Sequence, residues 1–293
     1  MIVRERGRAV VRRAFVPFRL KPNFLVIGAQ KSGTTSLQRY LAEHPAVLCA
    51  TPKEVHYFDI AHHYAYGDGW YVSHFPFRNR ARRVQRRLGT RPAVGEATPD
   101  YLLHPWGPER VHAFDPRMRL IVVLRDPVER AYSQYQMQVR KFGETLAFEQ
   151  ALDREEAEFP DELARMLEDP TYTWPADRRR SYVARGRYAE LLERWLGFFA
   201  REQLLVLTSE ELWSDPTAAV RDIESFLDIP AWPQGAYPHS SAGHYEPMPL
   251  AARERLARIF EPHNRSLEEL LGRELAWTCP SVEASALEPS LLS

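Results

Sequence analysis

The stretch FLVIGAQKSGTTSLQRYLAEHP, residues 24–45, decides the fold. Phe24 to Ile27 are apolar and β-prone, a loop of small residues follows, and from Thr34 to Glu43 a helical pattern places Leu37, Tyr40 and Leu41 on one face. His44-Pro45 ends that helix. Strand, glycine-bearing loop and helix make a cradle for a phosphate-like group. Gly28 and Gly33 have the spacing of a P-loop, but Thr34-Thr35 stand where Lys-Ser/Thr should follow, and the lysine of the loop, Lys31, comes two residues before the second glycine. The loop is built for an anion, yet not in the way a triphosphate needs.

Working outward, Val47 to Cys49 reads as a short second strand and residues 93–99 as a strand ending in a loop. MRLIVVLRDP, residues 118–127, is a continuous apolar run suited to a central parallel strand covered on both faces, with Pro127 opening a helix over Val128 to Arg140. Residues 60–92 read as irregular, rich in aromatics and arginine. Residues 144–170 read as an acidic, solvated helical insertion. An amphipathic helix is expected over 181–200 with Leu191, Leu192, Trp195, Phe198 and Phe199 on its apolar face. A strand at QLLVLTSEEL follows, then a helix capped by Asp215 with Pro216 at its first position, and a last long helix over 250–271. Strands alternating with helices predict an α/β fold, a single domain with a central, mainly parallel sheet flanked by helices and a P-loop-like loop. The expected division is a basic arm over 1–22, the domain over 23–275 and a tail over 276–293.

The 293 residues carry 39 Lys plus Arg against 39 Asp plus Glu, so the net charge is zero and a protein that coats nucleic acid is not expected. Cys49 and Cys279 lie far apart, and Cys49 within AVLCA reads as a packed free thiol rather than half of a disulfide. No Cys/His spacing suggests zinc, and His62-His63 lack a third ligand, so no metal is expected. The basic N-terminus has no apolar core of signal-peptide length and nothing long enough to span a bilayer, which reads as a cytoplasmic protein. Oligomeric state leaves no trace in the sequence.

Two anion sites are expected at the carboxyl ends of neighbouring strands. At the first, the free N–H groups of Ser32 to Thr35, the helix dipole, the hydroxyls of Thr34, Thr35 and Ser36 and the charge of Lys31 suit a dianionic group. At the second, LRDPVERAYSQY offers Arg125 at a strand end and Ser133 two turns into the next helix, with Arg130 on the same helix. Two such sites suggest a nucleotide with phosphates at both ends of its ribose. These motifs carry a resemblance. QKSGTTSL resembles the 5′-phosphosulfate loop, and VVLRDPVERAYSQY the 3′-phosphate motif, of sulfotransferases that use 3′-phosphoadenosine-5′-phosphosulfate (PAPS). The similarity is closest to the heparan-sulfate-type glycan enzymes and continues through PKEVHYFD, GWYVSHFP, GEATPDYL, GRYAELLERWLGFF and LLVLTSEELWSDPTAAVRDIESFLDI, covering about 24–272.

The resemblance implies that Lys31, Ser32, Gly33, Thr34, Thr35 and Ser36 bind the 5′ end of PAPS, that Arg125 and Ser133 bind its 3′-phosphate, and that Tyr188 lies near its adenine. It implies Lys31 as the group that meets the leaving-group charge and Glu54 as general base. A carboxylate on a loop after a strand can take the proton of an attacking hydroxyl or amine, a role that asks for a pKa raised by partial burial. His56 is a neighbour in that site or the base itself. The expected acceptor is a sugar, glycolipid or secondary metabolite. Two departures from the heparan type, Ala97 within Glu96-Ala97-Thr98-Pro99 where a lysine is usual and Ser241-Ala242-Gly243 where a basic loop is usual, point to a related reaction on a different acceptor. A P-loop kinase or NTPase and a non-catalytic nucleotide-binding protein are the competing readings.

Overall fold

Five strands lie in the order β2-β3-β1-β4-β5, and every neighbouring pair is parallel. They are β1 (Phe24–Gly28), β2 (Val47–Cys49), β3 (Ala93–Ala97), β4 (Arg119–Leu124) and β5 (Leu204–Thr208). The computed structural model describes residues 15–174, 180–233, 237 and 246–277. The Ser241-Ala242-Gly243 loop, Cys279 and most of the expected arm and tail lie outside them. The continuous apolar runs of β1 and β4 follow from their central place: every residue of β1 is buried, and Leu120 to Leu124 are wholly hidden. Each such aliphatic side chain contributes about 1.5–3 kcal/mol through burial.

The helices are α1 (Thr34–Glu43), α2 (Ala61–Tyr64), α3 (Asp68–Val72), α4 (Arg78–Leu88), α5 (Gly107–Phe114), α6 (Pro127–Phe142), α7 (Phe148–Glu168), α8 (Tyr188–Leu196), α9 (Ser209–Ser214), α10 (Pro216–Phe226) and α11 (Leu250–Leu271). α6 begins as its sequence dictates. The Asp126 carboxylate accepts from the N–H groups of Val128 (2.8 Å) and Glu129 (3.3 Å), and Pro127 stands at the first turn. Asp215 caps α10 the same way, accepting from the Ala218 N–H at 2.9 Å.

Three stretches differ from the sequence reading. The supposedly irregular residues 60–92 hold α2, α3 and α4, and their aromatics form a packed cluster in which Tyr57 stacks on Tyr71 at 4.6 Å. The acidic segment is not simply solvated: α7 buries Phe148, Ala151, Leu152, Glu155, Glu162 and Met166 along one face. The Glu155 carboxylate accepts from the N–H groups of Tyr182 (2.6 Å), Val183 (2.8 Å) and Ala184 (2.9 Å), and α8 starts at Tyr188, later than the expected residue 181. Phe198 lies past the end of α8 and is exposed. Cys49 is a free thiol, its pKa pushed up to about 11 by burial. Among the described residues no helix is long and apolar enough to cross a membrane.

β1 has β3 on one side and β4 on the other, while the chain goes from β1 first to β2 and β3 and later to β4 and β5. The crossover connections diverge at β1. The loops leaving β1 and β4 therefore flank the crevice where open parallel sheets place their ligands.

Candidate active site

The loop after β1 turns sharply. Lys31 (φ 72°) and Gly33 (φ 91°) both sit in the left-handed region. Gly33 takes that conformation without strain, whereas a residue with a Cβ costs about 1–2 kcal/mol there. α1 has no side-chain cap at its N-terminus, so the N–H groups of its first turn stay open to a ligand. Ser32, Thr34 and Ser36 are buried and Thr35 is exposed. Burial pushes the Lys31 amine down to about 8, helped by repulsion from Arg140, Lys141, Arg125 and Arg130. A cation held among cations favours an anionic ligand, which relieves that repulsion.

Arg125 stands beside this loop. Its Nη1 donates to the Lys31 carbonyl at 3.3 Å, its guanidinium lies 5.5 Å from the Trp213 ring centre, and its Nη2 is 3.9 Å from Glu129. The Ser209 hydroxyl, at the start of α9, is within reach of the Ser32 carbonyl (2.9 Å) and the Leu124 carbonyl (3.0 Å), tying the ends of β1, β4 and β5 together. Tyr188 is buried beneath the second turn, its hydroxyl donating to the Arg125 carbonyl at 2.9 Å. Ser133 is buried two turns into α6. Arg130 on the same helix is wholly buried and donates to Gln134 (2.8 Å) and to the Tyr182 carbonyl, so its charge is used inside the fold; burial lowers its pKa to about 10.

Glu54 and His56 lie on the loop after β2. Lys53 Nζ donates to Thr35 Oγ1 at 2.9 Å and to Glu54 Oε1 at 3.0 Å, so one amine joins the N-terminus of α1 to the Glu54 carboxylate. His56 Nδ1 lies 2.8 Å from Asp59 Oδ2 and His56 Nε2 lies 3.5 Å from Glu54 Oε2. Burial alone would lower the His56 pKa, but the hydrogen bonds to Asp59 and Glu54 outweigh it and raise the pKa to about 10. Glu54 moves the other way from the expectation. Burial raises its pKa, yet the His56 and Lys53 contacts prevail and leave it below the ordinary value. At neutral pH the pair is an ionised carboxylate and an imidazolium, so the carboxylate has proton-accepting capacity and the imidazolium has none.

Behind this loop sits Glu96, wholly buried on β3. It accepts from the hydroxyls of Thr98 (2.6 Å), Tyr101 (2.7 Å) and Tyr71 (3.2 Å). Thr98 Oγ1 in turn accepts from the Val55 N–H (3.2 Å) and the Tyr101 oxygen accepts from the Tyr57 N–H (3.0 Å). The backbone on either side of His56 is thus held by two hydroxyls anchored on one carboxylate. Burial raises the Glu96 pKa to about 7.

His56, Asp59 and Asp100 are grouped closely enough to suggest a metal, but Asp100 is already paired with Arg185 at 2.6 Å, a guanidinium that supplies the positive charge there. Lys53, Asp59, Glu96, Thr98 and Trp213 were not among the site residues expected from sequence. Lys53 precedes Glu54 in the chain, but nothing local shows that its amine reaches Thr35. Asp59 is three residues from His56 on a loop where no periodicity marks a shared face.

A family model described as "Sulfotransferase domain" matches residues 21–241. The chain is similar to the heparan sulfate glucosamine 3-O-sulfotransferase 6 of Homo sapiens (30% identical, covering 87% of this chain and 73% of the relative) and to the membrane-associated sulfotransferase kil1 of Dictyostelium discoideum (27%, 87% and 66%). It is also similar to the bifunctional heparan sulfate N-deacetylase/N-sulfotransferase 2 of Homo sapiens (29% identical over 92% of this chain), of which it spans 32% of the length. Among solved structures, a sulfotransferase from Alicyclobacillus acidocaldarius superposes with a TM-score of 0.65 at 32% identity, covering 88% of this chain and 99% of that one. With a five-stranded parallel sheet, an uncapped loop–helix junction after β1 and this family match across most of its length, the chain belongs to the sulfotransferase domain family.

Proposed function

We propose that this protein moves a sulfuryl group from PAPS to a hydroxyl or amine of a sugar, glycolipid or secondary-metabolite acceptor. The observation that carries the reading is the Lys53 bridge, which sets the Glu54 carboxylate two hydrogen bonds from Thr35 at the N-terminus of α1. Base and anion cradle thereby face one spot. The donor set suits PAPS: open backbone N–H groups, Lys31 and hydroxyls for the 5′ end, and Arg125 with Ser133 for the 3′-phosphate. When bound, PAPS supplies the sulfuryl group and leaves as adenosine 3′,5′-bisphosphate. Glu54 takes the acceptor proton, the His56 imidazolium held by Asp59 fixes the carboxylate, and Lys31 stabilises the charge that develops on the phosphate side. Tyr188, propping the Arg125 turn from below, sits on the nucleotide side of this arrangement.

The kinase or NTPase reading lacks a lysine after Gly33, and the strand-end Asp126 is already spent on capping α6. The relatives named as heparan sulfate enzymes make a glycan the first acceptor class to try. The test is mass spectrometry of products after incubation with PAPS and a panel of glycan and small-molecule acceptors, run beside Glu54→Gln. That variant should bind adenosine 3′,5′-bisphosphate as the parent does and lose about 10²–10⁴-fold in rate. Absence of any sulfated product, or ATP with Mg²⁺ binding more tightly than the bisphosphate, overturns the reading.

A further inference from the structure

Residues 69–95 contain no Asp or Glu, yet they carry Arg78, Arg80, Arg82, Arg83, Arg86 and Arg87 on α4 and Arg91 just beyond it. All seven arginines are exposed, and among the described residues none forms an ion pair. In a chain of zero net charge this is a local concentration, balanced elsewhere by acidic segments such as α7. At 100° per residue the six helical arginines cover an outward arc of about 200°. Val84 is the one buried residue of α4. The surface is convex, not a groove.

At the N-terminal end of α4 three phenylalanines stand out of the protein: Phe15 (48% exposed), Phe18 (61%) and Phe77 (38%). The rings of Phe15 and Phe77 meet edge to face at 6.3 Å, a backbone bridge joins Arg19 to Phe77, and Arg78 Nε donates to the Arg19 carbonyl at 3.3 Å. Aromatic and cationic groups thus form one continuous patch. The patch borders the chain that enters β1, where the Leu20 N–H donates to the Pro76 carbonyl at 2.9 Å.

We propose that this patch is a docking surface for an anionic lipid bilayer. A convex array of guanidiniums suits a flat, extended anion rather than a single chain, which needs a groove to follow it. Exposed phenylalanine rings beside those cations match the boundary between headgroups and acyl chains, where an aromatic ring gains by leaving water. The stretch 69–95, with seven arginines and no carboxylate, gives this face the charge that a negative surface attracts.

The experiment is co-sedimentation of the full chain with phosphatidylcholine vesicles with and without phosphatidylserine, at low and high salt, beside Arg82→Glu/Arg83→Glu/Arg86→Glu and Phe18→Ser. The parent should bind only the phosphatidylserine vesicles and release them at high salt. The triple variant should bind about a hundredfold more weakly, from about fivefold per arginine. Phe18→Ser should also weaken binding. Thermal unfolding and adenosine bisphosphate binding serve as controls and should be unchanged in both variants. No binding to phosphatidylserine vesicles, undiminished binding by the triple variant, or capture by heparin or duplex DNA without capture by vesicles overturns the proposal.

Discussion

Replacing Glu96 by Gln should change how stability depends on pH. Glu96 is wholly buried, and burial lifts its folded-state pKa from 4.5 to about 7 against the pull of the Thr98 and Tyr101 hydroxyls. The folded state therefore holds the proton more tightly than the unfolded state does. Below pH 4.5 both states are protonated and the group adds no penalty. As pH rises toward 7 the unfolded chain ionises first, and the folded protein loses stability. Two and a half units correspond to about 3 kcal/mol, fully felt above pH 7. Gln cannot ionise. Tyr71 and Tyr101 donate to the same oxygen, Oε1, and Thr98 to the other, so a Gln oxygen at Oε1 can accept from both tyrosines while its amide donates to Thr98 Oγ1. Urea unfolding across pH 5 to 8 measures the difference between parent and variant. Over that window the difference should shift by about 2.5 kcal/mol in favour of the variant, since part of the penalty is already present at pH 5. Parallel profiles would refute the reasoning, because they would mean that Glu96 ionises in the fold as readily as out of it.

Lys31, held at about 8 by burial and neighbouring cations, should make adenosine 3′,5′-bisphosphate binding weaken as pH rises through that value; calorimetry of the parent should show the slope and Lys31→Ala should lose it. Asp59→Asn removes the strongest partner of His56, so the imidazolium should give up its proton nearer pH 7 and the activity should fall on the alkaline side; a pH–rate profile unchanged up to pH 9 argues against a charged His56. Arg125→Ala should cost about 1.5–3 kcal/mol of affinity for adenosine 3′,5′-bisphosphate and far less for adenosine 5′-phosphosulfate, which lacks the 3′ group; equal losses would detach Arg125 from that phosphate.

Much of the sheet was legible because its strands are buried on both faces. β1, β2, α1 and α11 have the bounds that hydrophobic period and capping residues predict, and the Asp126 and Asp215 caps were readable from a carboxylate before a proline. The bend between β1 and α1 was legible because glycine spacing and the run of small residues mark a tight strand-to-helix turn. The links between segments were not. Lys53 reaches Thr35 only because β2 lies across β3 from β1, and Glu96 supports the His56 loop only through hydroxyls supplied from Tyr71, Thr98 and Tyr101. α7 was misread for a different reason: Glu155 and Glu162 interrupt its apolar stripe, and nothing local shows that they turn inward.

Glu155 changes what a shortened version of this protein would be. Looked at as a string, the acidic helix resembles a spare part that an engineer would trim to reach a minimal catalyst. Its carboxylate, however, accepts from the Tyr182, Val183 and Ala184 amides and so clasps the segment that leads into Tyr188. Excision would bare those amides in a dry interior and slacken the support under Arg125, so the smallest working unit includes the helix that looks most dispensable.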